Sequence, residues 1–427
     1  MLDVTPSPRR TLTAPAAAPK VTVGDLRLGE REKQYLTQVI DSNRLSYGPF
    51  TERFESLFAE LHDCKYSVFC NSGTSALHIA LAALKELHGW ADGDEVIVPA
   101  VTFVATSNVV LHNRLTPVFV DVDPLTYNID PALIEAKITP RTKAILPVHL
   151  MGLPADMGAI DQIARKHDLK VVEDSCETMF ADCRGRRVGS LGDIGCFSTY
   201  IAHYIVTGVG GLATTNDPDL AIMLKSLMNH GRDSIYLSID DDDGVDQKKL
   251  FEIAAKRFRF VHLGHSFRCT EMEAAIGLAQ LERHKEIVTA RTAVAAKYIE
   301  RLAGLGDVLQ LPTTPADRDH VFMLFPLVLR DEPKRALVNH LEANGVETRD
   351  LLPLINQPVY RKLYGDLEPH YPVARWLNRC GLYIGCHQYI TDDLIDHVAD
   401  TLYGYFGRTA GTGSVRKHHA PPLEVAR

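Results

Sequence analysis

Four short segments carry residue types that could do chemistry together. Asn71-Ser72-Gly73-Thr74-Ser75-Ala76 opens the first strong helical stretch. Free backbone N–H groups there, with the helix dipole behind them, suit an anion. The same residues suit a plain N-cap at Ser72 or Thr74 equally well. Val171-Val172-Glu173-Asp174 ends an apolar run. A carboxylate at the C-terminal edge of an α/β sheet stands where ligands usually bind, and its charge needs a partner such as a protonated ring nitrogen. The alternative is an Asp that caps the next helix. Phe197-Ser198-Thr199-Tyr200-Ile201-Ala202-His203-Tyr204, followed by Gly208, Gly210 and Gly211, offers Ser198 to a phosphate. Those glycines allow a tight return into the next strand, but they form no GxGxxG fingerprint. Pro99-Ala100-Val101-Thr102-Phe103 supplies Phe103, which could stack on a flat ring or fill a core.

These segments lie at the ends of strand-like runs. The clearest runs are Glu95–Val98, Pro117–Val122, Ala144–His149, Lys170–Glu173, Ile194–Ser198 and Gly211–Thr215. Helical spacing fills the intervals; Leu77, Ala80, Leu81 and Leu84 share one face. The alternation predicts an α/β fold with a mixed, mostly parallel sheet. After Arg268 the spacing predicts one long helix from Thr270 toward Leu305. Val321–Leu329, a helix near 332–344 and a last amphipathic stretch at 391–406 then read as a smaller α+β domain. The expected division is a loose tail at 1–21, a large domain at 22–285, a small domain at 286–407 and a second tail at 408–427. His418 and His419 belong to that tail, and the run Asp240–Asp243 reads as a solvated loop without EF-hand spacing.

Composition narrows the class. The 427 residues include 46 Lys plus Arg against 54 Asp plus Glu, a formal net charge of -8. Neither a nucleic-acid nor an anionic-membrane footprint is present. No apolar run reaches the length of a membrane span, and the N-terminus has no signal-peptide core. The 8 cysteines include no C-x-x-C pair, so reduced thiols in a cytoplasmic enzyme are expected.

Together with Gly48-Pro49, His230-Gly231 and Glu273–Leu281, the four segments resemble the DegT/DnrJ/StrS sugar aminotransferases, fold-type-I pyridoxal-phosphate enzymes. The resemblance runs from about residue 22 to residue 407. It implies that fold, with a large domain and a smaller C-terminal one. It implies that Gly73, Thr74 and Ser198 hold the cofactor phosphate. Phe103 would stack on the ring, Asp174 would pair with its nitrogen, and Glu177 would lie near its hydroxyl. Ser266 stands where the family has an asparagine that reaches a phosphate across a homodimer.

One position departs from the family. The aminotransferases carry a lysine five residues after the serine matching Ser198, and here that residue is His203. No lysine lies between Lys170 and Lys225. An imidazole cannot tether pyridoxal phosphate, so the resemblance implies a cofactor held non-covalently, as pyridoxal or pyridoxamine phosphate. A mostly neutral imidazole near pH 7 keeps general acid–base work and gives up covalent catalysis. The exchange resembles the nucleotide-sugar 3-dehydratases acting on GDP-4-keto-6-deoxymannose or CDP-4-keto-6-deoxyglucose. Glu173–Glu177, Ala202–Ile205 and Gly385-Cys386-His387-Gln388 resemble them too. The implied reaction removes the C3 hydroxyl of a 4-keto sugar, nucleotide-linked, with an amino donor such as glutamate recharging the cofactor. A lysine-less transaminase of a natural-product pathway, or a sugar-binding member without activity, are the alternatives. The segment after Arg232 holds no cysteine until Cys269, so no iron–sulfur cluster is expected.

Overall fold

The computed structural model describes residues 20–233, 244–256 and 258–409. Most of both expected tails, His418 and His419, and the Asp240–Asp243 run lie outside the described residues.

Two helices, α1 (Glu30–Ser42) and α2 (Pro49–Leu61), lead into the first strand. Gly48-Pro49 starts α2, and the free N–H groups of that first turn find a buried acceptor. Glu271, 1% exposed, takes the N–H groups of Gly48, Phe50 and Thr51 at 2.9 Å each.

The large sheet holds seven strands: β1 (Tyr66–Cys70), β2 (Glu95–Pro99), β3 (Thr116–Val120), β4 (Thr142–Ile145), β5 (Lys170–Asp174), β8 (Ile194–Ser198) and β9 (Gly211–Thr215). A short hairpin, β6 (Asp182–Cys183) and β7 (Arg186–Arg187), leaves the sheet between β5 and β8. The order is β1-β9-β8-β5-β4-β2-β3, and only β9 runs against the rest. Alternation assigns each side chain to a face. Val96, Val98, Ala144 and Val172 enter the main core. Ile97, Ile145 and Val171 enter a second cluster with Met157 and Ile160 of α5 (Met157–His167). Strands covered on both sides need the near-continuous apolar runs seen in the sequence. On the main-core side lie α3 (Gly73–His88), α4 (Val104–His112) and α6 (Pro218–Met228).

After α7 (Gln247–Lys256), the expected single long helix is two: α8 (Glu271–Leu281) and α9 (His284–Leu302). The break at Glu282-Arg283 contains neither Gly nor Pro. Tertiary packing explains it: α8 packs against α1 and α2, whereas α9 packs against the last helix of the chain. The small domain follows, with α10 (Arg335–Ala343), α11 (Pro358–Tyr364), α12 (Pro372–Cys380) and that last helix, α13 (Asp392–Tyr405). Its antiparallel sheet comprises β10 (Leu309–Gln310), β11 (Leu324–Leu329), β12 (Thr348–Asp350) and β13 (Gly381–Gly385), in the order β10-β11-β13-β12. Val21, expected at the edge of the N-terminal tail, is buried and bridges Val346 of this domain.

Candidate active site

The C-terminal ends of β1, β2, β5 and β8 meet at one cavity of about 620 Å³, closed from the other side by the small domain. This is the edge of an α/β sheet where strand ends leave room for ligands. Gly73, Thr74, Phe103, Asp174, Glu177, Ser198 and His203 all line it.

One end of the cavity is built from the start of α3. Ser72 caps the helix, its hydroxyl accepting the Ser75 N–H at 3.0 Å. The helix N-terminus behind Gly73 and Thr74 favours a negative group. A Cβ on Gly73 would lie 2.7 Å from Cys176 Sγ and 2.8 Å from Ser198 Cβ. A larger residue at Gly73 would therefore press on these two side chains.

The other end is acidic. Asp174 is 4% exposed. Its Oδ2 accepts the Thr106 hydroxyl at 2.7 Å, and its Oδ1 accepts the Cys176 N–H at 3.1 Å. Thr102 adds a second hydroxyl, 2.7 Å from that of Thr106. Burial pushes the Asp174 carboxyl above the usual range, against the pull of these hydrogen bonds. A cation at this point would relieve it. Glu177 accepts the Met151 N–H at 2.9 Å and is pushed up to about 7, by burial first and by the Asp174 charge in addition.

His203 faces the cavity from the loop between β8 and β9. Its Nδ1 lies 3.0 Å from the Tyr200 carbonyl. A carbonyl only accepts, so Nδ1 carries the hydrogen and Nε2 keeps the lone pair. Burial pushes the imidazole down to about 4, although the Tyr200 carbonyl works the other way. The cavity wall contains no lysine among the described residues.

Residues 26–403 match the sequence model of the DegT/DnrJ/EryC1/StrS aminotransferase family. The chain belongs to that family. It is 38% identical over 389 residues to a GDP-perosamine synthase of Caulobacter vibrioides, covering 90% of this chain and 98% of that one. It is 32% identical over 408 residues to a dTDP-4-dehydro-2,6-dideoxy-D-glucose 3-dehydratase of Saccharopolyspora spinosa, covering 90% and 86%. Among solved structures, an E. coli GDP-4-keto-6-deoxy-D-mannose-3-dehydratase with bound hydrated PLP superposes with a TM-score of 0.79. That match is 27% identical and covers 90% of this chain and 100% of that one. The fold is that of the fold-type-I PLP aminotransferases, and the cofactor is pyridoxal phosphate or its pyridoxamine form.

The residues present fit this cofactor. The start of α3 at Gly73 offers free N–H groups to an anion, and among the described residues the buried Asp174 forms no salt bridge. Phe103, 58% exposed, offers a ring on the cavity wall.

Ser266 is not brought to this cavity. It is exposed, and its hydroxyl lies 3.2 Å from Arg268 Nη2, so within one chain it cannot serve the phosphate. Cys386 and His387 are not in the cavity wall either; both are buried, and His387 Nε2 sits 3.1 Å from the Thr22 carbonyl. Arg349 does line the cavity, paired with Glu347 at 2.6 Å. His230 takes a positive φ and its N–H donates to the His265 carbonyl, a turn role. Sequence reasoning missed the Thr102–Thr106–Asp174 chain of hydroxyls. Its signal was the four-residue spacing of two threonines, which is commonplace.

Proposed function

We propose that the chain is a cytoplasmic, pyridoxamine-phosphate-dependent dehydratase that removes the C3 hydroxyl of a nucleotide-linked 4-keto deoxysugar. The carrying observation is an imidazole with a free Nε2 on a cavity wall that holds no lysine among the described residues. When bound, the cofactor supplies an amine that joins a keto carbon and a ring that accepts electrons.

The residues of the chain divide the remaining work. The N–H groups of Gly73 and Thr74 and the Ser198 hydroxyl hold the phosphate. Phe103 covers a ring face, and Asp174, fixed by Thr106 and the Cys176 N–H, keeps the ring nitrogen protonated. Glu177, near the ring hydroxyl, is poised to share a proton near neutral pH. His203 Nε2 takes a proton from the cofactor C4′ carbon and returns one to the departing C3 oxygen, which leaves as water. One group serves both directions because a base that accepts the first proton becomes the acid for the second.

A homodimer belongs to this reading. Phe258 and Leu263 are 81% and 93% exposed, more apolar surface than a lone chain favours. Both precede Ser266 in the same segment, and a second copy would receive Ser266 at its phosphate. The Caulobacter relative favours a second reading, in which nitrogen stays on the sugar.

Product analysis separates the two. Protein incubated with pyridoxamine phosphate and 4-keto nucleotide sugars is expected to yield a 3-deoxy-4-keto product, lighter than the substrate by one oxygen atom (about 16 mass units) and with no retained nitrogen, while the cofactor's amine is released as ammonia and its aldehyde form is left. Retained nitrogen, with glutamate consumed in step, overturns the dehydratase reading.

A further inference from the structure

One buried charge remains without a task. Arg291, on α9, is 2% exposed. Among the described residues it pairs with no carboxylate. Its guanidinium instead donates to three main-chain carbonyls. Nη1 reaches Met323 at 2.9 Å and Cys386 at 3.2 Å, and Nη2 reaches His203 at 2.9 Å. The guanidinium carbon stands 4.9 Å from the centre of the Tyr204 ring, and Nε has no partner.

An arginine stays charged even in such surroundings, and burying it without a counter-charge is costly. Neutral carbonyls and an aromatic face solvate the charge without cancelling it. The three carbonyls come from separate parts of the chain. Met323 precedes β11, Cys386 follows β13, and His203 sits on the loop between β8 and β9. A planar fork joins them, which a single ammonium could not do with the same geometry.

We propose that Arg291 is a positioning residue for His203: its fork clamps the loop that carries the imidazole to the small domain and sets a buried, uncancelled charge against that loop. The proposal rests on the reading of His203 as the base. Several other ionisable groups surround the ring. Tyr204 adjoins it in sequence, Asp174, Glu177 and Arg349 share the cavity walls, and Cys386, on the small-domain side, meets Arg291 through its carbonyl. Burial lowers the imidazole most and the Tyr200 carbonyl raises it; the Arg291 charge adds to the lowering. The same charge also bears on His387.

The test uses the full-length protein with isotope-labelled histidine, titrated by NMR without cofactor. His203→Asn identifies the resonance. Arg291→Met removes charge and clamp together, while Arg291→Lys keeps the charge and loses the fork. The Met variant is expected to raise the His203 pKa by about one unit and to move the acid limb of kcat/KM with it. The Lys variant is expected to leave that pKa nearly in place while lowering kcat by about tenfold or more, with KM little changed. A folded Met variant with an unmoved His203 titration overturns the proposal. Should Met fail to fold, Arg291→Gln replaces it. Wild-type protein suffices for one further decision: a His203 titrating near its ordinary value of about 6.5 overturns the proposal without any variant. Full activity in His203→Asn would instead sink the dehydratase reading, and the titration in Arg291 variants would still judge the charge coupling by itself.

Discussion

In the proposed reaction His203 is the residue on which the chemistry turns, and its replacements are informative in opposite ways. His203→Asn keeps size and polarity but cannot carry a proton, so turnover should fall by about 10²- to 10⁴-fold while cofactor uptake persists. His203→Lys restores an amine at this wall. Borohydride should then couple the coenzyme to the protein, which intact mass detects, whereas the wild type should gain no such mass. Glu177 gives a pH signature. Its carboxyl is raised in the folded protein to about 7 from an ordinary 4.5. The protonated form is therefore favoured by folding, and stability is lost as pH rises from the ordinary value through about 7. Thermal melts of the apoprotein should show Glu177→Gln gaining on the wild type between pH 5 and pH 8. A pH-independent difference would mean the carboxyl is not held as described. Legibility at this scale followed residue type. His203, Asp174 and Ser198 stand in segments whose pattern is visible in one dimension. Thr106 and Arg291 are not legible, because their partners lie 68 and 88 residues away along the chain.

At the scale of elements, α3 and β5 carry the cradle and the carboxylate, and each can be broken alone. Gly73→Ala places a methyl against Cys176 and Ser198, so cofactor affinity should drop by at least tenfold in an absorbance titration, with the fold retained. Thr106→Val leaves Asp174 Oδ2 without its donor. Loss of a hydrogen bond to a charged buried group should cost about 1.5–3 kcal/mol in urea unfolding of the apoprotein. The six runs read as strands all overlap strands, five of them parallel, because strands buried on both faces must be apolar; Ala144–His149 is strand only to Ile145, and Gly211–Thr215 runs antiparallel. The long helix misled for a related reason. Helical periodicity continues across Glu282-Arg283, and only the different partners of α8 and α9 impose the break. A strand missed altogether, β1, is a five-residue run whose first residue is exposed and which follows α2 after a short turn.

At the scale of the whole molecule, the rhythm of strand and helix announced one large α/β unit with a smaller partner, but not how the two meet. The small domain closes the cavity with Met323, Arg349 and Tyr383, which no motif marks. The apolar surface around Phe258 and Leu263 predicts a dimer in sedimentation, and Phe258→Asp with Leu263→Asp should yield a monomer that folds but turns over poorly. Among the described residues no helix is long and apolar enough to cross a membrane. The lysine-free wall of the cavity has a further consequence for the cell. A coenzyme that is never bonded to its protein is exchanged rather than owned. Saturation then follows the local supply of the vitamin, dialysis strips the catalyst, and each recharging event can occur either in place or by swapping a spent molecule for a fresh one.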